Sequence, residues 1–173
     1  MVIEQELLIR EAEPEDAVRL IEFLNQVGTE TDFMTLDEEG ITLSVSEMEY
    51  FIHRQALSDN QLYLLALLDD ELAGVLSITA DQHRRVRHIG ELFIVIKKAY
   101  HNQGLGGVLL EEGIEWAETS QTIRRLQLTV QKRNQAALHL YLEMGFVLEG
   151  VQERGAYIED KFVDVYFMGK LIG

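Results

Sequence analysis

The chain has 173 residues, of which 47% are hydrophobic, with one proline and no cysteine. These values predict one domain over residues 1–173 and exclude a disordered chain, a disulfide framework and a cysteine nucleophile. A formal net charge of −15 disfavours nucleic-acid binding. Because no stretch reaches the roughly 18 apolar residues of a membrane span and no secretory leader pattern is present, we expect a cytoplasmic protein that binds no membrane.

The acidic residues are concentrated at the start of the chain, around a predicted strand and helix. Residues 7–10 form a short apolar strand pattern, and Pro14 fits the first turn of a helix that Gly28 would close. Residues 29–43 show no sustained period. We interpret them as an acidic loop.

A second helix and three strands are predicted after this loop. Ser46 and Glu49 have the spacing of a capping box, which predicts a helix to about Leu57. Two apolar runs flank the polar turn at residues 69–71, and a third run covers residues 88–96, so we expect an antiparallel meander.

The remaining residues alternate between helix and strand. The patterns predict a helix to about Thr119, a strand at residues 126–130, a helix at 135–144 and closing strands near 146–153 and 162–171. A meander followed by alternating elements implies an α/β fold with a mixed, mostly antiparallel sheet flanked by helices.

Three glycines mark the start of the third helix, in "HNQGLGGVLL". Gly104, Gly106 and Gly107 allow a close approach to the backbone, and a helix N-terminus favours an anionic group such as a pyrophosphate. A P-loop would need Lys-Ser or Lys-Thr where Val108 and Leu109 stand. A Rossmann motif would need glycine at Leu109, so both nucleotide loops are excluded.

The stretch "GELFIVIKKAYHNQGLGGVLL" resembles the acetyl-CoA signature of the GNAT superfamily of N-acetyltransferases. That signature, Gln/Arg-x-x-Gly-x-Gly/Ala, is matched at Gly104 and Gly106, while His101 replaces the usual Gln or Arg. A later stretch, "LQLTVQKRNQAALHLYLEMGF", resembles the family's second conserved segment through Asn134, Ala137, Tyr141, Gly145 and Phe146. The two segments occur in the family's order, and the resemblance covers nearly the whole chain.

The resemblance implies a GNAT-type acyltransferase fold, acetyl-CoA as cofactor and direct transfer to an amine in a ternary complex. It also implies that backbone groups of the glycine-rich segment hold the pyrophosphate, while a strand edge pairs with the pantetheine arm. The cofactor-binding residues implied in this way are Ile94, Val95, Ile96, His101, Asn102, Gln103, Gly104, Leu105, Gly106, Gly107, Asn134 and Tyr141. Members of the family often form homodimers, although no segment of this sequence identifies an interface.

Two side chains are candidates for proton transfer. Glu91 interrupts an apolar strand, so its carboxylate either faces solvent or serves as the general base that the family often places on this strand. Tyr141 would by spacing be a core residue of its helix, but the resemblance implies that it protonates the departing thiolate. Asn134 is a preferred helix N-cap, and a cofactor contact is compatible with that role. The five histidines show no metal-binding spacing, so we expect no metal site.

The acceptor is predicted only as a class. By resemblance, the acidic loop and the segment "ERGAYIEDKF" would border the acceptor site, with Glu30, Asp32 and Glu38 as candidate contacts. An acidic border favours a cationic amine, such as a polyamine, an amino sugar, an amino acid or a protein amine, whereas an acidic surface kept for solubility explains the same residues. The alternatives are a non-catalytic coenzyme A-binding module and an enzyme that uses a hydroxyl acceptor or another acyl chain.

Overall fold

A computed structural model describes residues 4–35 and 39–173. Its strands are β1 (Leu7–Glu11), β2 (Leu62–Leu68), β3 (Glu71–Thr79), β4 (Ile89–Ile96), β5 (Arg125–Gln131), β6 (Val147–Ile158) and β7 (Lys161–Leu171). Its helices are α1 (Ala17–Glu30), α2 (Val45–Ala56), α3 (Leu105–Thr119) and α4 (Gln135–Glu143), and short 3₁₀ turns lie at Pro14–Asp16 and Lys98–Tyr100. Predicted and observed elements agree in type and order.

The strands form one mixed sheet in the order β1-β2-β3-β4-β5-β7-β6. Asp69 and Asp70, both with positive φ (48° and 68°), make the tight turn between β2 and β3, which confirms the predicted hairpin. The strands β1, β2, β3 and β4 pair antiparallel with one another in this order, and so do β5, β7 and β6. The parallel pair of β4 with β5 joins the two halves of the sheet.

The alternation of side chains along the strands produces two hydrophobic cores, one on each face of the sheet. On one face α3 and α4 cover a core that includes Leu76, Leu109, Leu126 and Met168. On the other face α1 and α2 cover a smaller core around Leu20, Ile52, Leu65 and Val75. The sheet is therefore the middle layer of three.

The ends of the first two helices differ from the sequence-based expectation. Gly28 was expected to close α1, but it is buried inside the helix, which continues to Glu30 because packing outweighs the low helix propensity of glycine. The capping box of α2 is Ser44 with Glu47: the Ser44 hydroxyl accepts from the Glu47 N–H, and the Glu47 carboxylate accepts from the Ser44 N–H. The same Ser-x-x-Glu spacing occurs again two residues later, and that second copy was the one predicted.

The segment "ERGAYIEDKF" is also different from the prediction. It was expected to connect the last two strands and border the acceptor site, but β6 extends to Ile158 and the turn consists of Glu159 and Asp160, both with positive φ. None of its residues lines the cavity described below.

No helix within the described ranges is both long enough and apolar enough to cross a lipid bilayer.

Candidate active site

A gap in the sheet lies between β4 and β5. The two strands pair only from Ile89 to Glu91, opposite Arg125 to Gln127, and diverge beyond that point. The rest of β4, to Ile96, stays paired with β3 on its other side. One edge of β4 is therefore open to a ligand along residues 92–96.

The direction of the main-chain groups along this open edge follows from one hydrogen bond. The N–H of Lys97 donates to the Ala73 carbonyl of the neighbouring segment at 2.8 Å. Since main-chain groups alternate along a strand, those of Val95 also face β3, whereas those of Ile94 and Ile96 face the gap. Of the three residues expected to pair with pantetheine, Ile94 and Ile96 therefore have main-chain groups on this open edge, whereas Val95 has none.

Residues 101–107, called the glycine turn here, form the entry and the first residues of α3 at the end of this gap. Gly104 is the N-cap of α3 with φ +77°, and a Cβ placed on it would meet nothing within 4 Å. The N–H groups of Leu105, Gly106 and Gly107 precede the first intrahelical donor, Val108, and no acceptor for them exists among the described residues. The arrangement is an open cradle of backbone donors, which fits an anionic group.

The imidazole of His101 closes one side of the cradle. Its Nε2 lies 2.8 Å from the carbonyl oxygen of Ile96, and because a carbonyl can only accept, Nε2 carries the proton. The ring thus anchors the glycine turn to the end of β4. His101, which departs from the family pattern, has a structural contact here as well as a place in the cavity wall.

A cavity of about 770 Å³ joins the glycine turn to the opposite face of the sheet. Its cofactor-side wall comprises Lys98, Tyr100, His101, Asn102, Gly104, Leu105, Gly106, Asn134, Ala136, Ala137, Leu140 and Tyr141. Its other wall, called the α1 wall, comprises Leu24, Val27, Glu30, Thr31, Phe33, Met34, Thr35, Ile41 and Tyr63. Residues 92–96 of β4 and residues 129 and 130 of β5 border the gap between the two walls.

Tyr141 lies on the cofactor-side wall and is 8% exposed. Its ring packs against Phe146 at 5.9 Å between centroids, so it belongs to the core and lines the cavity at once. No group in the described part of the chain hydrogen-bonds its hydroxyl. Burial raises the pKa of Tyr141 to about 12, so the hydroxyl keeps its proton at neutral pH.

Asn134 has the structural role that its residue type predicts. Its Oδ1 accepts from the N–H of Ala137 at 3.3 Å as the N-cap of α4, and the residue also lines the cavity. Of the other predicted cofactor residues, Gln103 and Gly107 do not line it.

Glu91 lies outside the cavity lining. Its side chain is exposed on the same face of β4 as Phe93, which does line the cavity, and its Oε2 accepts from Gln127 Nε2 at 2.9 Å. Alternate residues of a strand are about 7 Å apart, so Glu91 lies about this distance from Phe93, toward the end of β4 that pairs with β5. Thr79, Asp81 and Gln127 border a second, shallower depression with it.

The three carboxylates proposed for the acceptor have different surroundings. Glu30 lines the cavity, and its Oε1 accepts from the Lys98 N–H at 3.1 Å. Asp32 does not line the cavity, because its carboxylate is paired with Arg133 at 2.9 Å. Glu38 lies outside the described residues. The α1 wall is consequently apolar apart from Glu30, two threonines and the Tyr63 hydroxyl.

The sequence did not point to most residues of the α1 wall. Phe33, Met34 and Ile41 are apolar side chains within an otherwise acidic loop, and that contrast is the pattern that would have marked them. Tyr63 gave no local pattern, because it alternates with core leucines on a strand that is buried on both faces.

No cluster of three or more side chains suited to a metal ion occurs in residues 4–35 and 39–173.

Comparisons with known proteins agree on one family. A model of the acetyltransferase (GNAT) family matches residues 30–146, more than half of the chain. The L-amino acid N-acetyltransferase AaaT of Escherichia coli K12 is 27% identical over 168 residues, which is 96% of this chain and 98% of that protein.

Solved structures agree as well. A crystal structure of an acetyltransferase of the GNAT family from Streptococcus pneumoniae is 67% identical, with a TM-score of 0.95, over 97% of this chain and 100% of that one. The structure of yncA from Salmonella typhimurium with its cofactor acetyl-CoA is 18% identical, with a TM-score of 0.84, over 96% of this chain and 94% of that one. The predicted fold, the enzyme class and acetyl-CoA as cofactor are thereby confirmed, and the chain belongs to the acetyltransferase (GNAT) family.

Proposed function

We propose that the protein transfers the acetyl group of acetyl-CoA directly to the primary amine of a small molecule whose body is apolar. The observation that carries this proposal is the single cavity that runs from the glycine turn, through the gap between β4 and β5, to the α1 wall. Cofactor and acceptor would meet at the gap in a ternary complex, without an acyl-enzyme intermediate.

The cofactor-side wall supplies the contacts that acetyl-CoA needs. When bound, acetyl-CoA supplies the thioester that the acceptor nitrogen attacks. The free N–H groups from Leu105 to Gly107 suit its pyrophosphate, with His101 and Asn102 beside them. The outward carbonyl of Ile94 and N–H of Ile96 suit the amides of its pantetheine arm, as an added strand would, while the Ile96 carbonyl is occupied by His101.

Main-chain donors at the gap also suit the negative charge that develops during acyl transfer. The N–H of Ile94 faces the gap beside the cavity and is fixed by the pairing of β4 with β3. A donor that is already in place stabilises an oxyanion without reorganisation. We assign the oxyanion contact to this group.

Tyr141 is the proposed proton donor. Tyr141 lines the cavity, and its hydroxyl is protonated at neutral pH and has no hydrogen-bond partner in the described residues. It can therefore give its proton to the leaving sulfur and recover one from solvent.

Glu91 is the proposed proton acceptor and would act through water. The attacking amine must be neutral, and the Glu91 carboxylate lies on the open face about 7 Å beyond Phe93. Gln127 holds one carboxylate oxygen, which leaves the other for a water molecule.

The acceptor class follows from the α1 wall. Leu24, Val27, Phe33, Met34 and Ile41 present apolar surface, which favours an apolar body next to the amine. The relative AaaT carries the name of an L-amino acid N-acetyltransferase, and an amino acid with an apolar side chain has this shape.

A cationic acceptor is the second candidate. Glu30 is a carboxylate in the α1 wall, and the net charge of −15 attracts cations to the whole molecule. The pairing of Asp32 with Arg133 removes one of the charges that would favour it.

A matched pair of acceptors separates the two candidates. L-norleucinamide and L-lysinamide have side chains of similar length that end in a methyl group and an ammonium group, respectively. We expect a higher kcat/KM for L-norleucinamide, with little dependence on ionic strength. A preference for L-lysinamide or spermidine that weakens with added salt would favour the cationic candidate.

A further inference from the structure

Arg133 binds the loop after α1 through hydrogen bonds, an ion pair and an aromatic ring. Its Nη1 donates to Asp32 Oδ2 at 3.3 Å, and its Nη2 donates to the Asp32 carbonyl at 3.0 Å. Nη2 also lies 2.9 Å from Asp32 Oδ1 as an ion pair. Its Nε donates to Gln131 Oε1 at 2.9 Å. All three guanidinium nitrogens are thus engaged, and two of them, Nη1 and Nη2, reach a residue 101 positions away in the sequence.

Gln131 completes the connection from the sheet side. It is 6% exposed at the end of β5, and its Nε2 donates to the same Asp32 carbonyl at 3.0 Å. Because both ends of this amide are bonded, it holds Arg133 and the backbone of Asp32 in one geometry. We call Arg133, Gln131 and Asp32 the loop clamp.

The loop clamp acts on the cavity through Phe33. The guanidinium of Arg133 lies over the Phe33 ring, 4.9 Å from its centroid, and Phe33 lines the α1 wall. Arg133 itself does not line the cavity. Half-exposed ion pairs contribute little singly, but a bidentate pair with a stacked ring fixes position as well as charge.

We propose that Arg133 is a positioning residue that sets the affinity for the acceptor by anchoring Asp32 and thereby holding Phe33 in the α1 wall. This inference rests on the proposed function for the identity of the α1 wall as the acceptor side. Arg133 touches neither reacting group, so it affects the binding of the amine and leaves the chemical step and acetyl-CoA binding as they are.

The first test is a comparison of two arginine variants in the full chain. Arg154 provides the control, because its guanidinium also lies over an aromatic ring, that of Phe162 at 5.3 Å, in the β6–β7 hairpin away from the cavity. We expect Arg133→Gln to raise the KM for L-norleucinamide about fivefold to twentyfold. The kcat and the KM for acetyl-CoA stay unchanged, Arg133→Lys gives an intermediate KM, and Arg154→Gln has no effect.

A double-mutant cycle examines the partner within the loop clamp. The double variant carries both Asp32→Asn and Arg133→Gln. If the two residues act together, the fold increase in its KM for the amine is smaller than the product of the fold increases of the two single variants. Independent effects, an equal rise in the KM for acetyl-CoA, or a loss confined to kcat would overturn the proposal.

A structural measurement separates this inference from the proposed function. Hydrogen–deuterium exchange in residues 31–35 should be faster in Arg133→Gln than in the wild type and Arg154→Gln. If only spermidine is acetylated, the proposal of an apolar acceptor fails. The KM comparison of the arginine variants is then made with spermidine as acceptor. If no amine is acetylated, the proposed function fails, and unchanged exchange in residues 31–35 would overturn the loop clamp as well.

Discussion

The amide of Gln127 holds the carboxylate of Glu91 at 2.9 Å, at the last point where β5 still pairs with β4. One residue pair further, the strands separate and the cavity begins. Glu91 therefore lies at the edge of the gap with one oxygen fixed, in a position to take a proton through water from a group bound there.

The substitution Glu91→Gln tests this role. Glutamine keeps the oxygen that accepts from Gln127 but cannot take up the proton, so we expect kcat to fall on the order of a hundredfold with little change in either KM. Glu153→Gln, at an exposed position of β6, is the control. Wild-type turnover in Glu91→Gln, measured by release of free coenzyme A, would remove Glu91 from the mechanism.

Filling the cradle at Gly106 should block the cofactor without unfolding the protein. A Cβ there would lie 3.5 Å from Leu140 and 3.8 Å from Ile96, which are ordinary contacts, and the added methyl groups of Gly106→Val would occupy the cavity. We expect the substitution to remove one or two hydrogen bonds between backbone N–H groups and the bound anion. This loss weakens acetyl-CoA binding by on the order of tenfold to several hundredfold.

Calorimetric titration with acetyl-CoA measures this loss. Gly150 lies on β6, away from the cavity, and a Cβ there would lie 3.9 Å from Phe167 of the neighbouring β7. The control variant Gly150→Ala should therefore bind acetyl-CoA like the wild type. Normal affinity in a folded Gly106→Val protein would contradict the assignment of the glycine turn.

Removal of the Tyr141 hydroxyl should slow the chemical step. We expect Tyr141→Phe to lower kcat on the order of a hundredfold and to leave the KM for acetyl-CoA unchanged, because the ring still packs against Phe146. Tyr157→Phe removes a hydroxyl that bonds Asp160 in the β6–β7 hairpin and should have no effect. Equal turnover in both variants would mean that Tyr141 is only a core residue.

The buried Tyr141 also predicts a loss of stability in alkali. Burial raises the pKa of Tyr141 to about 12, against about 10 in an unfolded chain. Between these values the unfolded chain releases the proton while the folded protein retains it, so stability falls as pH rises, by up to about 1.4 kcal/mol per pH unit. Below about pH 10 both states are protonated and the effect is absent.

Urea unfolding at increasing pH measures this loss. Tyr63, whose pKa is also raised by burial, contributes in both proteins, so Tyr141→Phe should lose less stability than the wild type above about pH 10. Parallel losses in the two proteins would contradict a buried, neutral Tyr141.

The sequence was sufficient for the architecture because its local patterns agree with the tertiary contacts. Two local patterns predicted the structure correctly. One is the polar turn at Asp69 and Asp70, and the other is the group of glycines at the start of α3. The Ser-x-x-Glu pattern occurs twice, so spacing alone could not choose Ser44 over Ser46. The final strand pair was longer than predicted because β6, an edge strand, is rich in polar residues.

Apart from Glu30, which lines the α1 wall as expected, the candidate site was predictable on the cofactor side only. Its backbone donors follow from the glycine motif, whereas the α1 wall depends on contacts between distant segments, such as Arg133 with Asp32. Such a contact has no local pattern, because a charged loop residue looks the same whether it faces solvent or a partner. For this reason the sequence predicted an acidic border at the acceptor site, where one of the carboxylates, Asp32, is paired with Arg133.

Identification of the products tests whether the protein transfers the acetyl group of acetyl-CoA to an amine with an apolar body. The full chain is incubated with acetyl-CoA and a mixture of L-norleucinamide, spermidine, glucosamine and an apolar alcohol, and the products are identified by mass spectrometry. We expect acetyl-norleucinamide, acetylated on nitrogen, as the main product, with one coenzyme A released for each acetyl group transferred. Binding of acetyl-CoA without any acetylated product, or acetylation of the alcohol, would contradict this proposal.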